Sequence, residues 1–138
     1  MKLKDFDFRI WDGKKYINNI KGGVYIHKIN DHIKCLNRNQ DCYDYEFELD
    51  ELDNSNLEIE LFTGLYDKKD KKVYENDIVK VKSLYDYFLA KISIHKEGTF
   101  YFEGKNGDYI GSLIYLVEDE GYTIEAIGNI HENAELLK

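Results

Sequence analysis

Apolar and polar residues alternate with a period of two along most of the chain, the pattern of strands with one wet and one dry face. Phe6, Phe8 and Ile10 alternate with Asp7 and Arg9, and Asp12-Gly13 supplies a hairpin dipeptide before residues 14–18. Gly22-Gly23 breaks the chain ahead of VYIHKI (24–29), and Asn30-Asp31 is read as a tight turn into HIKCL (32–36). NRNQDC (37–42) has no period and reads as a loop. YDYEFEL (43–49) then sets Tyr43, Tyr45, Phe47 and Leu49 against acids. LEIELF (57–62) repeats the device, with Leu57, Ile59 and Leu61 predicted inward and Glu58 and Glu60 outward.

In the second half, Gly98, Asn106-Gly107-Asp108 and Gly121 mark three turns between the β-rich runs KISIHK, TFYFEG, YIGSLIYLVE and TIEAIGN. SLYDYFLA (83–90) fits a helical turn or a bulged strand, and the strand is favoured. HENAELLK (131–138) predicts a short terminal helix with Asn133 as its N-cap. The fold class is mainly β, built of antiparallel hairpins or a meander and compatible with a small partly open barrel, with a short C-terminal helix. At 138 residues the chain is one domain, or two β subdomains of about 1–62 and 63–138 sharing a core.

Composition agrees: 43% hydrophobic and 14% aromatic residues favour strands over disorder. The chain contains no proline, so its strand edges need another guard, such as charged side chains or pairing with a second copy. The net charge of −8 is unevenly spread. Residues 1–38 hold nine Lys or Arg and four acids, residues 39–67 hold ten acids and no Lys or Arg, and residues 68–138 hold ten Lys and thirteen acids. The middle block is a solvated strand face, or a surface that meets a basic host or phage protein through Glu46, Glu48, Glu58 and Glu60. The charge count argues against ordinary nucleic-acid binding, and only DKKDKK (67–72) offers local cation density. No apolar run nears the roughly 18 residues of a membrane span, so a soluble, cytoplasmic protein is expected.

Candidate chemistry is sparse. Cys35 and Cys42 read as free thiols. With His27 and His32 they are the right ligand types for zinc, but their spacings fit no standard knuckle, and no metal or cofactor is predicted. No local motif supports either thiol as a nucleophile with His95 or His131. The pairs Glu46/Glu48 and Glu58/Glu60 sit at i, i+2 on strands, which puts both acids of a pair on one side where they would hold Mg2+. The ten glycines are scattered and form no phosphate loop. Trp11, beside the Asp12-Gly13 turn, is expected to staple that hairpin.

The stretch TGLYDKKDKKVYENDIVKV (63–81) reads as the end of a strand at Thr63-Gly64, a charged hairpin tip, and a Glu75-Asn76-Asp77 turn into a strand in which Ile78, Val79 and Val81 pack. A positive φ is predicted at Asn76. Three blocks together resemble the YopX family, small proteins encoded by phages and prophages of low-GC bacteria. They are FDFRIWDGKKYI (6–17), FTGLYDKKDKKVYENDIVKV (62–81) and IEAIGNIHENAELL (124–137). The family's motif positions fall on Arg9, Trp11, Asp12, Thr63, Gly64, Tyr74, Asn76, Asp77, Gly128 and Asn129. The chain departs from the pattern at Asn76, His131 and Ala134, where Gly, Tyr and Pro are usual. The resemblance implies a mostly β phage or prophage accessory protein and a homo-oligomer, with no activity to carry over. The expected function is that of a non-enzymatic, self-associating interaction protein with an acidic β face. The alternative is a small metal-dependent nuclease or hydrolase that uses the paired carboxylates.

Overall fold

The computed structural model describes residues 1–17, 24–38, 49–51 and 56–138. Eleven strands are present among them: β1 (Phe8–Trp11), β2 (Val24–Ile29), β3 (His32–Arg38), β4 (Leu49–Glu51), β5 (Glu58–Tyr66), β6 (Lys72–Tyr74), β7 (Asp77–Lys82), β8 (Tyr87–Ile94), β9 (Phe100–Glu103), β10 (Tyr109–Ser112) and β11 (Thr123–Asn129). They form three open sheets, ordered β1-β5-β6, β10-β9-β8-β7-β11 and β2-β3-β4. Neighbouring strands among β2–β11 pair antiparallel, and none of these sheets closes into a barrel. Among the described residues no helix is long and apolar enough to cross a membrane.

The chain divides into two compact units, Arg9–Glu60 and Met1–Phe8 with Leu61–Lys138. In the first, the Asp12-Gly13 hairpin forms as the dipeptide predicts. Gly13 has φ 100°, the Asp12 carboxylate accepts the N–H groups of Lys14 and Lys15 at 2.8 Å, and Ile17 N–H donates to Ile10 O. Asn30, at φ 52°, turns β2 into β3, whose register sets Cys35 opposite Ile26 and His27 opposite Lys34. Ile10, Ile17 and Cys35 are buried.

In the second unit the core is the cluster of Val73, Val79, Val81, Ala90, Ile92, Phe102, Leu113 and Ile124. Alternate residues of β7 supply two of its members and leave Lys80 half-buried and Lys82 exposed, as its period requires. Gly98, Gly107 and Gly121 all have positive φ at the three predicted turns. SLYDYFLA divides: residues 83–86 make the β7–β8 turn and Tyr87 starts β8.

Four expectations need correction. The strand from Glu58 does not stop at Thr63-Gly64 but runs to Tyr66, through a register shift that Gly64 absorbs at φ 87°. YIGSLIYLVE is only half strand: after Ser112 the chain coils into a helical turn that becomes a π-helix over Tyr115–Asp119. The reason is local, because Leu113, Leu116 and Val117 stand at helical spacing against the core and Ser112 Oγ accepts the Tyr115 N–H at 3.3 Å. The predicted short C-terminal helix is present as a 3-10 turn, Ala134–Leu137, with Asn133 at its N-cap position, but the Asn133 side chain makes no cap there. Finally, Ile59 is 48% exposed and Glu60 is fully buried, the reverse of the predicted alternation.

Candidate functional site

Glu60 is inverted for an electrostatic reason. Its Oε1 accepts from Arg9 Nε at 2.7 Å and from the Tyr16 hydroxyl at 2.9 Å, and the Arg9 guanidinium lies 4.6 Å from the Tyr16 ring centroid. A buried carboxylate is tolerable only when so paired. Trp11 packs edge-on against Tyr16 at 5.0 Å, the predicted staple. Arg9, Trp11 and Asp12 therefore hold a hairpin together, and Glu60 is spent on the same knot. Glu58 is exposed, while Glu46, Glu48 and Cys42 lie outside the described residues.

The other signature residues also build structure. Thr63 Oγ1 donates to Val73 O at 2.7 Å and accepts the Leu65 N–H at 3.2 Å, which bridges the β5 register shift. Tyr74 N–H donates to Asp77 Oδ2 at 2.8 Å across a turn where Asn76 has φ 70°, the predicted left-handed residue. Asn76 N–H donates to Ile92 O and its own carbonyl accepts from Ile130 N–H. At the C-terminus Asn129 Oδ1 accepts the N–H groups of His131 and Glu132, while Asn133 Oδ1 accepts the Asn129 N–H. A Cβ on Gly128 would stand 2.6 Å from Asn133 Oδ1, so the position has room only for glycine.

Two aspartates that motif reasoning passed over carry much of this unit. Asp7 accepts from Lys72 Nζ at 2.8 Å and the Tyr74 hydroxyl at 2.7 Å. Asp67 is buried and accepts three backbone N–H groups, from Lys69 and Lys71 on Oδ1 at 2.9 Å and from Ala126 on Oδ2 at 3.0 Å. Burial pushes both carboxyls up, but the hydrogen bonds outweigh it and hold both below the ordinary value of 3.8. The signal for Asp67 lies in its place: an aspartate at the start of a tight charged loop is suited to bond N–H groups two and four residues on.

These contacts explain DKKDKK. Lys68 N–H donates to Ile124 O while Asp67 takes the Ala126 N–H, so the loop closes over the edge strand β11. Lys68 and Lys69 then reach Glu125 at 3.0 and 2.9 Å, and these hydrogen bonds hold its carboxyl low. One edge of the five-stranded sheet is thereby guarded. At the other edge, no strand among the described residues pairs with the outer side of β10. Here Tyr109 is 59% exposed, and Ile110, Ile114 and Tyr115 are exposed as well.

The ligand types weighed for zinc are not gathered on one face. On β2 and β3, Cys35 shares its side of the sheet with Ile26 and Ile33, opposite His27 and His32. The Cys35 thiol is pushed up by burial, which leaves little thiolate at neutral pH. His95 stacks on Tyr101 at 4.1 Å.

Open antiparallel sheets, the largest with one edge guarded and the other unpaired among the described residues, define a small, mainly β protein whose signature residues tie turns and bulges. The chain belongs to the YopX protein family, whose sequence profile matches residues 7–138. Its fold is similar to the crystal structure of protein YopX from Bacillus subtilis, with a TM-score of 0.63 at 20% identity over 95% of this chain and 97% of that one. It is also similar to protein EF1440 from Enterococcus faecalis, with a TM-score of 0.57 at 24% identity over 96% of this chain and 98% of that one. No curated protein matches the sequence.

Proposed function

We propose that this is a phage or prophage accessory protein that works by binding rather than by catalysis, and that it self-associates through the β10 edge. The family resemblance supports the first part. The second rests on one observation: among the described residues β10 ends a five-stranded sheet with its outer side unpaired and with Tyr109 and Ile110 exposed beside Ile114 and Tyr115. An unpaired strand flanked by apolar side chains is a template for a second strand, and a second copy of the same edge satisfies it symmetrically. In a chain of net charge −8, a basic host or phage protein is the further partner class that fits. The alternative, a small metal-dependent nuclease or hydrolase, would use paired carboxylates such as Glu58 and Glu60, of which Glu60 Oε1 already accepts from Arg9 and Tyr16.

Sedimentation velocity over a concentration series tests the edge. The parent should move from monomer towards dimer as concentration rises, and Ile110→Lys should remain monomeric with an unchanged melting temperature. A parent that is monomeric throughout, or a variant that dimerises equally well, would remove β10 as the interface.

A further inference from the structure

The five-stranded sheet has a second face, opposite its core, where the chain collects cations that the linear sequence scatters. Lys80 and Lys82 alternate with buried Val79 and Val81 on β7 and so point away from the core. The register sets Lys82 beside Tyr87 of β8 and Thr123 of β11, and Lys80 beside Glu125. Lys68 enters from the loop that guards β11. These side chains line a cleft of about 140 Å³.

Its charges are unevenly matched. Glu125 is shared by Lys68 and Lys69. Lys80 Nζ lies 4.3 Å from the Tyr87 ring centroid, and among the described residues neither Lys80 nor Lys82 makes an ion pair. Asp86, in the adjoining turn, accepts the Tyr87 N–H at 2.7 Å. The cleft is thus a cationic spot on a chain of net charge −8, open to solvent and walled by a tyrosine that is 57% exposed. Tyr85, two residues along at the turn, is 96% exposed.

We infer that this cleft binds the phosphate of a nucleotide, free or within a single strand, with the base stacked on the tyrosines outside it. A space of this size suits a phosphate and not a whole ligand, since complete ligand pockets begin near ~300 Å³. Lysines that lack carboxylate partners beside the hydroxyl-bearing Thr123 supply the donors an oxyanion needs. An exposed aromatic next to such a spot is the arrangement that holds a single strand without reading its sequence. A duplex would bring many more phosphates against the acidic remainder, so the single-stranded or free form is selected.

The test is fluorescence anisotropy with labelled dT12 on the full chain at about 50 mM salt, with competition by AMP and by inorganic phosphate. AMP should bind better than inorganic phosphate, and Tyr87→Leu should erase that advantage. Lys80→Gln with Lys82→Gln should weaken dT12 at least roughly tenfold and flatten the salt slope by about 1.4, at ~0.7 per lost phosphate contact. Lys105→Gln, in the distant 104–108 turn, should change nothing. Tighter binding of dT12 than of AMP identifies a strand as the ligand, and equal binding identifies the free nucleotide. Failure of both AMP and dT12 to bind the parent, AMP no better than phosphate, or equal losses from Lys105→Gln would overturn the assignment.

Discussion

Asp67 and Asn76 show how single residues set this fold. Asp67 sits in a run of lysines, yet it is buried because three backbone N–H groups converge on its carboxylate. Replacement by Asn offers those groups an amide in place of a charged acceptor, and Asp67→Asn should cost about 1–3 kcal/mol in urea unfolding. The sign of its pH dependence follows from its depressed folded pKa. The stabilisation is present above the unfolded value, near 3.8, and is lost as pH falls through the folded value. The parent should therefore weaken more steeply than Asp67→Asn as pH falls below that unfolded value. Parallel urea curves for the two proteins across that range would remove Asp67 as the titrating group. Asn76, at φ 70°, occupies a conformation that glycine adopts freely and valine strongly resists. Asn76→Gly should melt at or slightly above the parent, whereas Asn76→Val should lose about 1–2 kcal/mol. Equal melting temperatures for all three would contradict the role of the backbone there.

At the scale of the element, the informative strands are those whose regular pairing is interrupted. β5 continues past Gly64 because Thr63 Oγ1 is both donor and acceptor at the register shift. Thr63→Val keeps the shape and deletes both bonds, so it should cost about 1–3 kcal/mol, and Thr63→Ser should recover most of it. Thermal melts compare them directly, and a Val variant as stable as the Ser variant would show that the hydroxyl is idle. Periodicity made β7 legible, since Val79, Val81, Lys80 and Lys82 each stand where alternation sets them. It misread Ile59 and Glu60, because period two fixes which residues share a face but not which face is covered, and the half-buried Arg9 partner outweighs hydropathy. It also missed the helical turn after Ser112, where the unbroken apolar run Leu113–Val117 shows neither period clearly until Ser112 and Gly111 decide. A Cβ on Gly111 would lie 2.8 Å from Leu116 Cδ1. The signature residues were legible as a family pattern, but their roles as bulge ties and turn anchors depend on contacts between distant segments, such as Asp67 with Ala126 across 59 residues.

For the molecule as a whole, a net charge of −8 is set against the apolar β10 edge, which is unpaired among the described residues. Two such chains repel, and the repulsion is long-ranged, whereas strand pairing and the contact of Ile110 and Tyr109 are short-ranged and insensitive to salt. The Debye length falls from roughly 14 Å at about 50 mM salt to about 6 Å at about 300 mM, so the repulsive part is removed first. Self-association through β10 should therefore strengthen as salt rises. Nucleotide binding at the Lys80–Lys82 cleft has the opposite sign, because salt restores the counterions that a phosphate displaces. The two readings separate in one titration: the parent should dimerise more and bind dT12 less across the same salt series, with Ile110→Lys affecting only the first and the Lys80/Lys82 double variant only the second. Dimerisation that weakened with salt in step with dT12 binding would instead mean that association runs through pairs of opposite charges, and the acidic middle segment of the chain would replace β10 as the surface that joins two copies.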